Sequence, residues 1–211
     1  MLRANNFRNL LKFLIIFFLI ATPLLSSCNV INKHEVEQPF PQNTRVLLLY
    51  YSLYGSTKQV SEWVASGIDG KINMQPINDF SKVNINDYSI IVLGSAVYME
   101  NIALPMKDFL KENREKFKNK KVALFVVSGS YLISGERYLS LFERELEKKP
   151  FTTAFFGGSM VPEKLSEFHY KIMEKYWADR GQKVQFFDFT DKGEAMDFGK
   201  KIRDFIIKDP S

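Results

Sequence analysis

A doubly wound α/β domain, with a five-stranded parallel sheet and helices on both faces, is the fold predicted for residues 44–208. Three observations predict it. Short apolar runs rich in Val, Leu and Ile recur along the chain, as expected of strands buried on both faces. Between them lie segments whose apolar residues repeat at helical spacing. The connections after the first, third and fourth runs are the ones rich in Gly, Ser and Tyr, and in such a sheet those connections meet at the carboxyl edge, where ligands bind.

The first run, VLLLYY at 46–51, is continuous and β-prone, and it leads through 52–57 into a helix marked by Val60, Trp63, Val64 and Ile68 and closed by Gly70. A weaker second strand is expected at 72–77. YSIIVL at 88–93 has the pattern of the central strand and leaves by 94–101. Pro105 suits a first helical turn, and Met106, Phe109 and Leu110 form that helix's apolar face. The charged run at 111–121 reads as a solvated helix end and turn rather than a phosphate site. VALFVV at 122–127 is the fourth strand, leaving by 128–131, and the next helix is expected over 135–148 with Leu139, Phe142 and Leu146 inward. A fifth strand is expected over 151–160, where Gly157 and Gly158 mark a bend or a close approach. Ala195, Phe198, Ile202, Phe205 and Ile206 make the last amphipathic helix.

The composition narrows the function classes. The chain has 29 basic and 24 acidic residues, but residues 1–27 hold Arg3, Arg8 and Lys12 and no acid. The remainder is therefore nearly balanced, at 26 basic against 24 acidic groups, which argues against a nucleic-acid partner. The single cysteine, Cys28, excludes an intrachain disulfide, a cysteine-only zinc site and a two-cysteine redox motif, and no metal site is expected.

The first 27 residues are basic and then apolar, the layout of a secretory signal. A membrane-spanning helix needs about 20 apolar residues, and Pro23, Ser26 and Ser27 interrupt the run first. Leu25, Ser26, Ser27 and Cys28 resemble the bacterial lipobox. The resemblance implies a lipidated Cys28 as the mature N-terminus, and a protein exported and anchored to a bacterial cell membrane or outer membrane. No twin-arginine pair stands near Arg3 or Arg8, so export of an already folded protein has no signal of its own. Residues 28–43, with Pro39, Pro41 and no hydrophobic periodicity, read as a tether; His34 belongs to it rather than to a metal site.

Within 52–57, Ser52, Ser56 and Thr57 bring three hydroxyls and Gly55 to a helix start. Backbone amides, hydroxyls and the helix dipole can there converge on one phosphate. No lysine sits in the loop, so it is not a nucleoside-triphosphate P-loop, and it lacks the Gly-x-Gly-x-x-Gly of dinucleotide folds. A plain helix cap is the alternative reading.

Residues 48–57, LLYYSLYGST, with Val64 seven positions on, resemble the flavodoxin signature; Tyr54 stands where a small or hydroxylated residue is frequent, and Ser61 where alanine is usual. The resemblance continues through 94–98 and 128–131 and covers about four fifths of the chain. It implies a flavodoxin-like fold that binds flavin mononucleotide (FMN). Ser52, Tyr54, Gly55, Ser56 and Thr57 would take the phosphate, while Ser95, Ala96, Val97 and Tyr98 would pack on one side of the ring and Ser128, Gly129 and Tyr131 on the other. Tyr98 is the residue expected to stack on the flavin, with ordinary aromatic packing as the alternative for it and for Tyr131. No side chain is expected to serve as catalytic acid or base.

Between the fifth strand and the last helix, 162–189 exceeds what a minimal flavodoxin needs. Leu165, Phe168, Ile172, Met173, Tyr176 and Trp177 share one helical stripe, Gly181 ends the helix, and 184–189 reads as a short edge strand. Its position, and the stretch 191–202, resemble the menaquinone-dependent protoporphyrinogen dehydrogenases. The stripe either packs on the domain or forms a substrate or quinone groove, with His169 beside it as a candidate proton carrier. Three functions follow as expectations: an FMN-dependent oxidoreductase handing electrons to a redox partner or a quinone, a flavodoxin-type electron carrier, or an apo fold serving as a surface binding module. The near-neutral domain and the lipid tether argue against the carrier.

Overall fold

The computed structural model describes residues 39–209; the expected signal sequence, Cys28, His34 and most of the expected tether lie outside the described residues. Strand β1 (Val46–Tyr51) is followed by helix α1 (Ser56–Ile68), β2 (Ile72–Pro76), β3 (Ile90–Tyr98), β4 (Asn101–Ile102), α2 (Leu104–Phe117), β5 (Lys121–Ser128) and α3 (Tyr131–Leu146). Then come β6 (Thr152–Gly157), β7 (Ser159–Met160), α4 (Glu167–Ala178), β8 (Phe187–Asp188) and α5 (Lys192–Lys208). The main sheet runs in the order β2-β1-β3-β5-β6 with its neighbours parallel. Strand order reverses between β1 and β3, which makes the gap beyond their carboxyl ends the switch point of a doubly wound sheet.

Period-two alternation divides the strands between two cores. Leu47, Leu49, Ile91, Leu93, Leu124 and Val126 face α2 and α3, while Val46, Leu48, Ile90, Val92, Ala123 and Phe125 face α1 and α5. All twelve are completely buried, and full burial of a leucine or isoleucine contributes about 2 kcal/mol. Helices α1 and α5 approach each other closely because glycines stand at the contact. A Cβ on Gly67 would lie 2.1 Å from the Met196 carbonyl oxygen, and one on Gly199 would lie 2.3 Å from that of Val64.

Several boundaries differ from those the sequence predicts. Strand β3 continues to Tyr98 instead of ending at 93, because Gly94, Ser95 and Ala96 stay in register with Phe125, Val126 and Val127 of β5. Helix α3 starts at Tyr131 rather than 135. The expected fifth strand divides at Gly158 into β6 and β7. Gly157 marks a close approach, since a Cβ there would lie 1.9 Å from the Phe189 carbonyl oxygen. The edge strand expected over 184–189 is only Phe187–Asp188, paired antiparallel with β7.

Candidate functional site

The loop after β1 turns into α1 through Gly55, whose φ of 97° is one that a glycine adopts without strain. The Ser52 hydroxyl accepts from the Gly55 amide at 3.1 Å and shapes the loop. No side chain caps the start of α1, so its first-turn amides and dipole are left for another acceptor. The Ser56 hydroxyl accepts from the Ser159 amide at 3.1 Å, tying the helix start to β7. Thr57 is buried.

Beside this loop lies a cavity of about 590 Å³, within the size range of small-molecule sites. One wall is the end of β3 and the turn after it, Val97 to Glu100; a second is Ser128 at the end of β5 with Gly129 and Ser130 after it. The roof comes from the 162–189 segment, with Leu165, Ile172, Met173 and Trp177 lining it, and Phe187 and Phe189 close the side. The lining is mostly apolar and aromatic, suited to a planar apolar group.

Tyr98 is held at its hydroxyl and by neighbouring rings. Its hydroxyl accepts from the Leu53 amide at 3.2 Å. Burial pushes its pKa up to about 12, with the Leu53 N–H acting the other way, so it is neutral and serves as an uncharged ring. Tyr54 meets it edge-on at 6.2 Å, and His169 stacks on it at 6.1 Å with 20° between the planes. Tyr54 carries the loop across to α4. Its hydroxyl lies 2.5 Å from His169 Nδ1 and accepts from the Ser166 amide at 3.2 Å, while Ser166 is itself the N-cap of α4.

Among the residues expected at the site, Tyr54, Val97, Tyr98, Ser128 and Gly129 line the cavity. Ser52, Gly55, Ser56 and Thr57 form the adjoining loop and helix start and do not line it. Ser95 and Ala96 are buried beneath the wall, and the Ser95 hydroxyl donates to the Ala96 carbonyl and accepts from the Ala103 amide. Tyr131 begins α3. His169 reaches the cavity, but Ser166 Oγ beside it also accepts from the His169 amide as a helix cap. Among the described residues no group of three or more His, Cys, Asp or Glu could hold a metal ion, nor is any helix long and apolar enough to cross a membrane.

Sequence reasoning missed Met99 and Glu100 on one wall, and Ser159, Met160, Phe187 and Phe189 on the other side. Met99 and Glu100 form a two-residue hairpin turn without the Gly or Asn that ordinarily signals one. Glycines 157 and 158 were the only hint of the second group.

Among solved structures, oxidised flavodoxin 1 from Bacillus cereus is 15% identical, covers 80% of this chain and 100% of its own, and superposes with a TM-score of 0.51. The metal-soaked flavodiiron core of Flv1 from Synechocystis sp. PCC6803 is 15% identical over 79% of this chain, with a TM-score of 0.52. This chain spans only 37% of that core's length. A flavodoxin from the domain Archaea is 19% identical over 78% of this chain and 99% of its own, with a TM-score of 0.49. Likeness at these identities is a statement about fold. No curated protein matches the chain. A flavodoxin-domain model matches residues 47–185, from β1 to beyond the α4 roof, and the chain belongs to the flavodoxin domain family.

Proposed function

We propose that the domain binds FMN and acts in electron transfer, as an FMN-dependent oxidoreductase. The observation that carries this is the pairing of two features at the carboxyl edge of the sheet: a helix start with no side-chain cap after β1, and an apolar cavity beside it between the ends of β3 and β5. Such a pair fits a phosphate-bearing planar ligand. Ser52, Ser56 and the backbone of residues 54–57 would hold the phosphate. Tyr98, Val97 and the loop at Ser128 and Gly129 would hold the ring. FMN supplies one- and two-electron chemistry, while the protein supplies position and electrostatics. Neutral Tyr98 adds no charge beside the ring, and the roof of Leu165, Ile172, Met173 and Trp177 keeps water from it.

The roof favours a small electron acceptor, such as a quinone, over a docking protein partner, because it covers the cavity that an electron carrier would present openly. The same segment is the basis for placing the protein beside the protoporphyrinogen dehydrogenase branch. The proposal includes export and a lipid anchor at Cys28, which rest on the lipobox resemblance.

The test is a visible absorbance spectrum and a titration with FMN and with riboflavin. Flavin bands, an FMN affinity at least about tenfold above that for riboflavin, and about tenfold weaker binding in Tyr98→Ala are expected, each factor corresponding to about 1.4 kcal/mol. No binding at tens of micromolar FMN would overturn the proposal and leave a binding module with a flavodoxin fold.

A further inference from the structure

One wall of the cavity is built from a backbone conformation that its residues disfavour. Met99 and Glu100 sit at φ 50° and 59°, joining the antiparallel pairs Tyr98↔Asn101 and Val97↔Ile102. A two-residue turn with both residues left-handed is ordinarily made by Asn-Gly or Gly-Gly. Larger residues stay in it only where the surroundings over-determine it. The side chain of Met99 is no cause, because that residue is 71% exposed.

Glu100 has a cause at hand. Its carboxylate accepts from the Tyr138 hydroxyl at 2.6 Å and from the Arg137 guanidinium at 3.3 Å. The Arg137 pair is exposed on both sides, at 61% and 59%, and exposed pairs hold geometry weakly. Tyr138 is completely buried on α3, so its hydroxyl reaches the carboxylate from within the core. A bond from a fixed donor to an ionised acceptor is short and directional.

We propose that Glu100 is a positioning residue. Its bond to Tyr138 holds the Met99–Glu100 turn left-handed and so sets which backbone groups the cavity wall presents to a bound ring. The pin stands on this geometry alone; its consequence for FMN rests on the function proposed above.

The test compares Tyr138→Phe, Glu100→Ala, their combination and Glu100→Gln, first without ligand. Amide hydrogen exchange across 97–102 is expected to quicken about tenfold in Tyr138→Phe and in Glu100→Ala, as loss of one charge-assisted bond implies. The double variant should be no faster than either single one, because both remove the same bond. Glu100→Gln, which keeps an acceptor, should stay within about threefold of the parent. FMN titration should then show affinity about tenfold lower in Tyr138→Phe and Glu100→Ala. Met99→Gly, which relieves the turn at one of its two positions, should recover much of that loss in the Glu100→Ala background. Unchanged exchange in Tyr138→Phe overturns the pin whether or not FMN binds. Quickened exchange with unchanged FMN affinity overturns its role in positioning. Should the parent protein bind no FMN, the functional reading falls while the exchange rates still decide the pin.

Discussion

Helix α5 and helix α4 carry apolar stripes of the same kind, yet only one of them is buried. In α5, Ala195, Phe198, Gly199, Ile202 and Ile206 are buried against α1 and the sheet. In α4 no residue is buried, and Phe168 and Tyr176 are 64% and 42% exposed. The stripe of α5 meets a sheet face, with Gly67 and Gly199 letting backbones touch, whereas that of α4 meets a cavity. A helical apolar period therefore states that a surface wants covering, and leaves open whether protein or ligand covers it.

The comparison can be broken most forcefully at the α1/α5 contact. Gly199→Val should lower stability by about 3 kcal/mol, since a backbone carbonyl and no flexible side chain stands in the way. Ile172→Ala on α4 should cost less than about 1 kcal/mol, because little surface is buried there. Thermal denaturation checks both, and equal losses would erase the distinction.

Ligand binding should reverse the ranking. Trp177→Ala should weaken FMN about tenfold, or about 1.4 kcal/mol, with a small effect on the ligand-free melting temperature, whereas the remaining folded Gly199→Val protein should bind FMN as the parent does. Parallel calorimetric titrations decide this.

A smaller effect is expected where α4 is tied down. Tyr54→Phe removes the hydroxyl shared with Ser166 and His169 and should quicken exchange in α4 severalfold while costing about 1 kcal/mol or less. Unchanged exchange in α4 would show that the roof needs no such tie.

The smallest effect at neutral pH comes from Tyr98. Its pKa in the folded protein is about 12, raised from 10.0, so the folded state keeps a proton that the unfolded state loses above pH 10. Stability should therefore be unaffected below that pH and fall as pH rises from 10 towards 12. Burial raises Tyr50 as well, so the contribution of Tyr98 is the slope that disappears in Tyr98→Phe, read from denaturant midpoints against pH.

Much of the fold was legible in the chain. Runs such as 46–51 and 122–127 are buried on both faces, and that demand appears directly as unbroken apolar residues. The loop and helix start after β1 were legible too, because the backbone preferences of a helix start are local. The walls of the cavity were not. Strand β3 runs on through Ala96 because β5 pairs with it and to Tyr98 because β4 does, and a neighbouring strand leaves no mark in the local pattern of Gly94, Ser95 and Ala96.

Tyr54 shows the same limit from the other side. In sequence it is a departure from the flavodoxin signature; in the structure its hydroxyl meets His169, 115 positions away. By itself the sequence determined the order of strands and helices, the two-faced burial of the sheet and the helix start at Gly55, since each follows from periodicity and local backbone preference. Tertiary structure alone decided that α4 roofs a cavity, and that Met99 and Glu100 are held left-handed. Those outcomes depend on contacts between segments far apart in the chain, and no local pattern of residues encodes which distant group will arrive.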